Sequence, residues 1–82
     1  MITVMYFAWV RERIGLPKEQ VETSATTVAD LVDELKAREE RYAAAFADVS
    51  ALRVALDQKL SDFDAPLDGV REVAFFPPMT GG

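Results

Sequence analysis

From Ile2 to Phe7 the chain alternates. Ile2, Val4 and Tyr6 fall on one side, and Thr3, Met5 and Phe7 on the other. Period two over residues that favour strands predicts a half-buried strand. The pattern then changes. "AWVRERIGL" reads as a short helix that Gly15 closes and Pro17 prevents from continuing. "KEQVETS" reads as a second strand, short and polar enough to be partly exposed.

"TTVADLVDELKAREER" carries the strongest helical signal. Val28, Leu31, Val32 and Leu35 form one apolar stripe at i, i+3, i+4 and i+7. Thr27 is positioned to cap the N-terminus, with Asp30 three residues on in a capping-box-like spacing. Acidic residues lead the segment and Lys36 and Arg38 close it, each sign suited to the helix dipole. "YAAAFAD" is expected to add another helical turn or two. "LRVAL" reads as a third strand, and Asp57-Gln58 as a tight reversal into a brief "KLS" strand. "DAPLDG" is turn chemistry. "VREVAFF" is the final strand, with Val73 and Phe75 on one side and Ala74 and Phe76 on the other.

This order predicts an α+β fold: a mixed sheet with the long helix packed across one face. The helix stripe would share a core with Ile2, Val4, Val73 and Phe75. Trp9 is expected to pack near the first helix. With 82 residues, the chain makes one domain, here 1–76, followed by an extended tail at 77–82.

Composition narrows the chemistry. The chain holds 9 basic and 14 acidic residues, a net charge of −5, and no cysteine or histidine. The sign of the charge opposes nucleic-acid binding, which depends on Lys and Arg at phosphates; it favours a partner with a basic surface. Without Cys or His there is no disulfide, thiolate nucleophile, catalytic triad or zinc-cysteine site within the chain. Asp62 and Asp64 are the nearest oxygen ligands to a metal site, but read as a polar turn; no metal is expected. "MITVMYFAWV" is too short to span a bilayer and lacks a basic leader, so a cytoplasmic protein with no membrane partner is expected.

The last residues read "FFPPMTGG". Pro77 and Pro78 cannot donate ladder hydrogen bonds, so the final strand must stop before them. Both have fixed φ, and the segment is expected to leave the sheet as a stiff strut reaching as much as ~20 Å. A Gly-Gly end has no Cβ and can thread a channel closed to side chains. Gly82 would present an open carboxylate. Another enzyme could adenylate it and exchange the AMP for a nucleophile, which would make this domain a carrier rather than a catalyst.

"FAWVRE" after an initial strand, "TTVADL" and "DGVREVAFFPPMTGG" resemble the small, sulfur-carrying subunits of molybdopterin synthase, over nearly the whole chain. The resemblance implies a ubiquitin-like β-grasp fold. It also implies that a ubiquitin-activating-like adenylyltransferase uses ATP to adenylate Gly82, and that a sulfurtransferase supplies sulfur to make a thiocarboxylate. The tail, Met79, Thr80, Gly81 and Gly82, would insert into the large synthase subunit and donate sulfur to cyclic pyranopterin monophosphate. That transfer builds the dithiolene of molybdopterin, the ligand of the molybdenum cofactor. A heterotetramer of two small and two large subunits is implied, with catalytic groups in the large subunit and no cofactor bound permanently by the small one. Phe7, Leu60 and Phe76 match the family's partner interface. Alternation independently turns Phe7 and Phe76 outward, whereas Leu60 rests on the resemblance. Arg11 matches the family's "RE" pair without a role following from it. The "DQK" turn departs from the more usual Asn-containing form. A sulfur carrier for thiazole or another thio-metabolite, a ubiquitin-like protein modifier, and an acidic adaptor with an incidental tail are the competing readings.

Overall fold

The computed structural model describes residues 1–78; Met79, Thr80, Gly81 and Gly82 lie outside the described residues. Strand β1 (Ile2–Tyr6) leads into helix α1 (Ala8–Ile14), strand β2 (Lys18–Val21) and helix α2 (Val28–Arg38). Helix α3 (Glu40–Ala45) and a 3-10 turn (Val49–Ala51) follow, then β3 (Arg53–Leu56), β4 (Lys59–Ser61) and β5 (Glu72–Phe76). The five strands form one sheet in the order β2-β1-β5-β3-β4. β1 and β5 run parallel at its centre, and the other pairings are antiparallel. This is the mixed sheet with a crossing helix, the β-grasp arrangement that the resemblance implies.

Alternation sets the two faces. Ile2, Val4, Tyr6, Val54, Leu56, Val73 and Phe75 are buried beneath the helices, together with Val28, Leu31, Val32 and Leu35 of α2. Phe75 is an aromatic hub. Its ring meets Phe46 edge-on at 4.9 Å and stacks with Tyr6 at 6.4 Å. Aromatic pairs in such arrangements contribute about 0.5–1.5 kcal/mol beyond their buried area. Tyr42, Ala45 and Phe46 complete this core. Their i, i+3, i+4 spacing in "YAAAF" was a readable signal of a buried helical face.

The expected single run from α2 into "YAAAFAD" is corrected at Glu39, which is extended (φ −153°, ψ 156°) and separates α2 from α3. A continuous helix would carry Glu39 into the apolar stripe, four residues beyond Leu35. The break leaves Glu39 exposed and buries Tyr42.

The Thr27 hydroxyl accepts from the Asp30 backbone N–H at 3.2 Å, as a cap should. The returning half of the capping box differs: Asp30 accepts instead from the Thr26 hydroxyl at 2.8 Å. Two further N–H groups at the start of α2, those of Val28 and Ala29, donate to the Ala65 and Phe63 carbonyls. Helix starts leave such donors without partners in the helix itself. Here the loop before β5 satisfies them, and so ties the long helix to the strand that leads into the tail. Within that loop the Asp62 carboxylate accepts the Asp64 N–H at 3.0 Å, the polar turn expected of "SDFDAP".

Candidate functional site: the outward sheet face beside the tail

Phe76 is the last residue of β5, and Pro77 begins the departure from the sheet. Next to it, β1 ends at Tyr6, but the Phe7 N–H still donates to the Phe75 carbonyl at 3.1 Å. The parallel ladder therefore runs one residue past β1. Tyr6 pairs with Phe75, so Phe7 and Phe76 finish the two central strands side by side. Phe7 is 40% exposed although aromatic, and Phe76 is half-buried.

Both residues line one open cleft of about 400 Å³, with Ala8, Pro77 and Pro78 completing its walls. Pro77 and Pro78, expected as a strut, form part of this apolar surface. Ala8 carried no warning in the sequence, because alanine at a helix start is unremarkable. Arg53 lies opposite Phe76 on β3, and its guanidinium donates to the Leu52 carbonyl at 2.9 Å. A cation is thus anchored at the edge of the apolar surface.

Leu60 stands apart from the cleft. It pairs with Ala55, which pairs with Ala74 and, through it, with Met5. One row of the outward face thus reads Met5, Ala74, Ala55, Leu60. Two strand spacings, roughly 10 Å, separate Leu60 from β5. At 73% exposed, Leu60 is a large apolar side chain on a thin edge strand with no intramolecular reason to be apolar. The two alanines between it and Met5 leave the centre of the face low. Phe7 and Phe76 are therefore brought together, and Leu60 shares their face at a distance.

The other sequence candidates fall elsewhere. Trp9 packs against the core from α1, with the Arg13 guanidinium 5.5 Å from its ring centre. Arg11 is exposed, and its carbonyl accepts the Gly15 N–H at 2.7 Å where α1 ends. The polar network of the interior belongs to stability rather than to the cleft. The Tyr6 and Tyr42 hydroxyls both donate to Glu19. Among the described residues no three His, Cys, Asp or Glu side chains gather to hold a metal ion. No helix among them is long and apolar enough to cross a membrane.

The chain matches the ThiS family over residues 4–82. It is 44% identical to the molybdopterin synthase sulfur carrier subunit of Escherichia coli (strain K12) over 82 residues, covering 100% of both chains. Identity to the molybdopterin synthase sulfur carrier subunit of Haemophilus influenzae (strain ATCC 51907 / DSM 11121 / KW20 / Rd) is 34%, again over 100% of both. The crystal structure of SAMP1 from Haloferax volcanii shares the fold with a TM-score of 0.77, covering 99% of this chain and 98% of that one at 21% identity. A β-grasp core, an end-to-end sequence match and a shared family model agree: the chain belongs to the ThiS family, among the molybdopterin synthase sulfur carrier subunits.

Proposed function

We propose that Gly82 carries sulfur as a C-terminal thiocarboxylate and delivers it to cyclic pyranopterin monophosphate in the large subunit of molybdopterin synthase. The end-to-end identity with sulfur carrier subunits carries this reading. A Gly82 carboxylate oxygen attacks the α-phosphorus of ATP in an activating adenylyltransferase, and pyrophosphate leaves. A sulfur nucleophile at the level of hydrosulfide, supplied by a sulfurtransferase, then adds to the acyl carbon and AMP leaves. The resulting acyl sulfur bonds to a substrate carbon as a bond from that carbon to oxygen breaks and the oxygen departs; water then cleaves the acyl–sulfur bond, which regenerates the carboxylate and leaves the sulfur on the substrate. Two deliveries complete one dithiolene.

This chain contributes position rather than catalysis. Phe7, Phe76 and the proline pair form the apolar surface that docks on the large subunit, with Leu60 as a second, outlying contact. Met79, Thr80, Gly81 and Gly82 are the arm inserted into the partner's active site. Two small and two large subunits make the working enzyme, in the cytoplasm. The small subunit binds no cofactor of its own, and the ATP is consumed by the activating enzyme.

The test is an intact mass of the protein taken from cells. Exchange of one C-terminal oxygen for sulfur is expected, together with molybdopterin formation when that form is mixed with the cognate large subunit and cyclic pyranopterin monophosphate. A sulfur-bearing form that yields thiazole and no molybdopterin would replace this substrate assignment. Abundant isopeptide links from Gly82 to lysines of other proteins would replace the carrier role.

A further inference from the structure

We infer that Ala8, held in a left-handed backbone conformation as the first residue of α1, is the positioning residue for Phe7 in the docking cleft. Ala8 has φ 53°. Only a few per cent of residues other than glycine adopt positive φ, with Asn, Asp and His several-fold enriched among them. Such a conformation crowds Cβ against the neighbouring carbonyl and persists where the surroundings over-determine it.

The surroundings here do so from both sides. β1 ends at Tyr6 and α1 begins at Ala8, leaving Phe7 as the only residue between a strand and a helix. The Phe7 N–H is held by the Phe75 carbonyl at 3.1 Å, which keeps Phe7 in the central ladder. The Phe7 carbonyl accepts from Val10 and Arg11 N–H groups at 3.1 and 3.4 Å, which makes the same residue the cap of α1. α1 in turn is fixed by buried Val10 and Ile14. Phe7 itself is extended, with φ −124° and ψ 155°. The change of direction from strand to helix therefore falls on Ala8. By absorbing it, Ala8 lets the helix depart without drawing Phe7 out of the ladder and away from Phe76.

The side chain matters as well as the backbone. Ala8 lines the same cleft as Phe7, Phe76, Pro77 and Pro78. A β-branched residue would be a genuine outlier at this φ. It would either shift the joint, moving Phe7, or push extra methyl groups into the cleft.

The inference rests on the reading that this cleft docks the large synthase subunit, and the experiment separates the two. Binding of the full chain to the cognate large subunit is measured for the natural sequence, Phe76→Asp, Ala8→Val and Ala8→Gly, with circular dichroism reporting the fold. Ala8→Val is expected to bind at least tenfold more weakly than the natural sequence. Ala8→Gly, which adopts positive φ without strain, is expected to recover most of that loss. In the free protein, the Phe7 N–H that the Phe75 carbonyl holds is expected to exchange with deuterium faster in Ala8→Val and to regain its protection in Ala8→Gly. If Ala8→Val fails to fold, Ala8→Leu takes its place with the same expectation. Natural affinity in a folded Ala8→Val or Ala8→Leu variant, or unchanged exchange of the Phe7 N–H, overturns the positioning role even while Phe76→Asp weakens binding. Equal binding of the natural chain and Phe76→Asp overturns the docking reading instead.

Discussion

Tyr42 of α3 donates a 2.6 Å hydrogen bond to the same Glu19 carboxylate oxygen of edge strand β2 that accepts from Tyr6 at 2.8 Å. The two tyrosines are the only ones in the chain, and both are buried. One acidic side chain on a short edge strand thus satisfies two buried hydroxyls from β1 and α3. Arg38 approaches the other oxygen of Glu19 at 3.5 Å, with its guanidinium 5.2 Å from the Tyr42 ring centre.

Glu19→Ala should therefore cost far more than its place on a partly polar strand suggests. Hydrogen bonds to a charged group contribute about 1.5–3 kcal/mol, and buried donors left without acceptors add a penalty. A loss of ~2–3 kcal/mol is expected from the denaturant midpoint. In a Tyr6→Phe/Tyr42→Phe background the same substitution should cost much less, because no hydroxyls remain to be orphaned. Equal costs in the two backgrounds would show that the carboxylate acts independently of the tyrosines.

The same cluster predicts alkaline lability. Burial, and then the hydrogen bond to the Glu19 carboxylate, push both phenols above the ordinary tyrosine value of 10.0. The neutral phenols are thus favoured in the folded state. Their contribution is complete below the unfolded value and is lost as pH climbs above it. Phenolate absorbance is expected to appear together with loss of ellipticity, in one cooperative transition above about pH 10. Ionisation of both tyrosines near that pH with native ellipticity retained would contradict the assignment.

The β3–β4 reversal offers a gain. Asp57 and Gln58 both have positive φ, 50° and 71°. This is the turn geometry for which Asp-Gly and Asn-Gly are preferred. Asp57 also repays its strain by accepting the Arg71 and Glu72 N–H groups, each at 3.0 Å. Among the described residues Gln58 makes no such hydrogen bond, so Gln58→Gly should stabilise the protein by about 0.5–1 kcal/mol, seen as a higher denaturant midpoint at unchanged slope. A lower midpoint would mean that the glutamine side chain contributes something beyond backbone geometry.

On the outward face, Phe76→Asp and Leu60→Asp should separate the two parts of the proposed interface. Both should keep the fold, because neither side chain enters the core. A packed interface anchor is commonly worth ~2 kcal/mol or more, and Phe76→Asp is expected to weaken large-subunit binding by at least that amount. Leu60→Asp is expected to weaken it as well if the docking surface extends to the sheet edge. Natural affinity for Leu60→Asp alone would confine the surface to the cleft.

One alanine added after Gly82 should abolish sulfur transfer while leaving the fold and the proposed docking surface intact. The added Cβ and displaced carboxylate would defeat both adenylation and insertion. Undiminished molybdopterin formation by the extended chain would sink the acyl-carrier reading.

Most of the fold is legible in the periodicity of the sequence. The β1 and β5 alternations, the α2 stripe, the Thr27 cap and the Gly15 stop are local patterns, and each matches its element. Phe7 and Phe76 were legible as outward aromatics for the same reason. Leu60 had only a resemblance behind it, since three strand residues are too few to show a face by alternation. The break at Glu39 has no local stop signal, since Lys36, Arg38 and Glu39 all tolerate a helix; keeping Glu39 out of the apolar stripe while burying Tyr42 and Phe46 is what turns the chain there. Glu19 reads as an ordinary surface residue until the strand carrying it pairs with β1.

Local patterning in the sequence determined most of the elements, their inward faces and the end of β5 before Pro77. These follow from side-chain period and backbone chemistry within a few residues. Tertiary structure alone decided the parallel pairing of β1 with β5, which sets Phe7 beside Phe76, and the left-handed joint at Ala8 that holds it there. It also decided the gathering of Tyr6, Glu19 and Tyr42. Each of these joins residues distant in sequence or fixes a backbone angle against local preference, so the energy that selects it comes from contacts formed only when the sheet and helices close together.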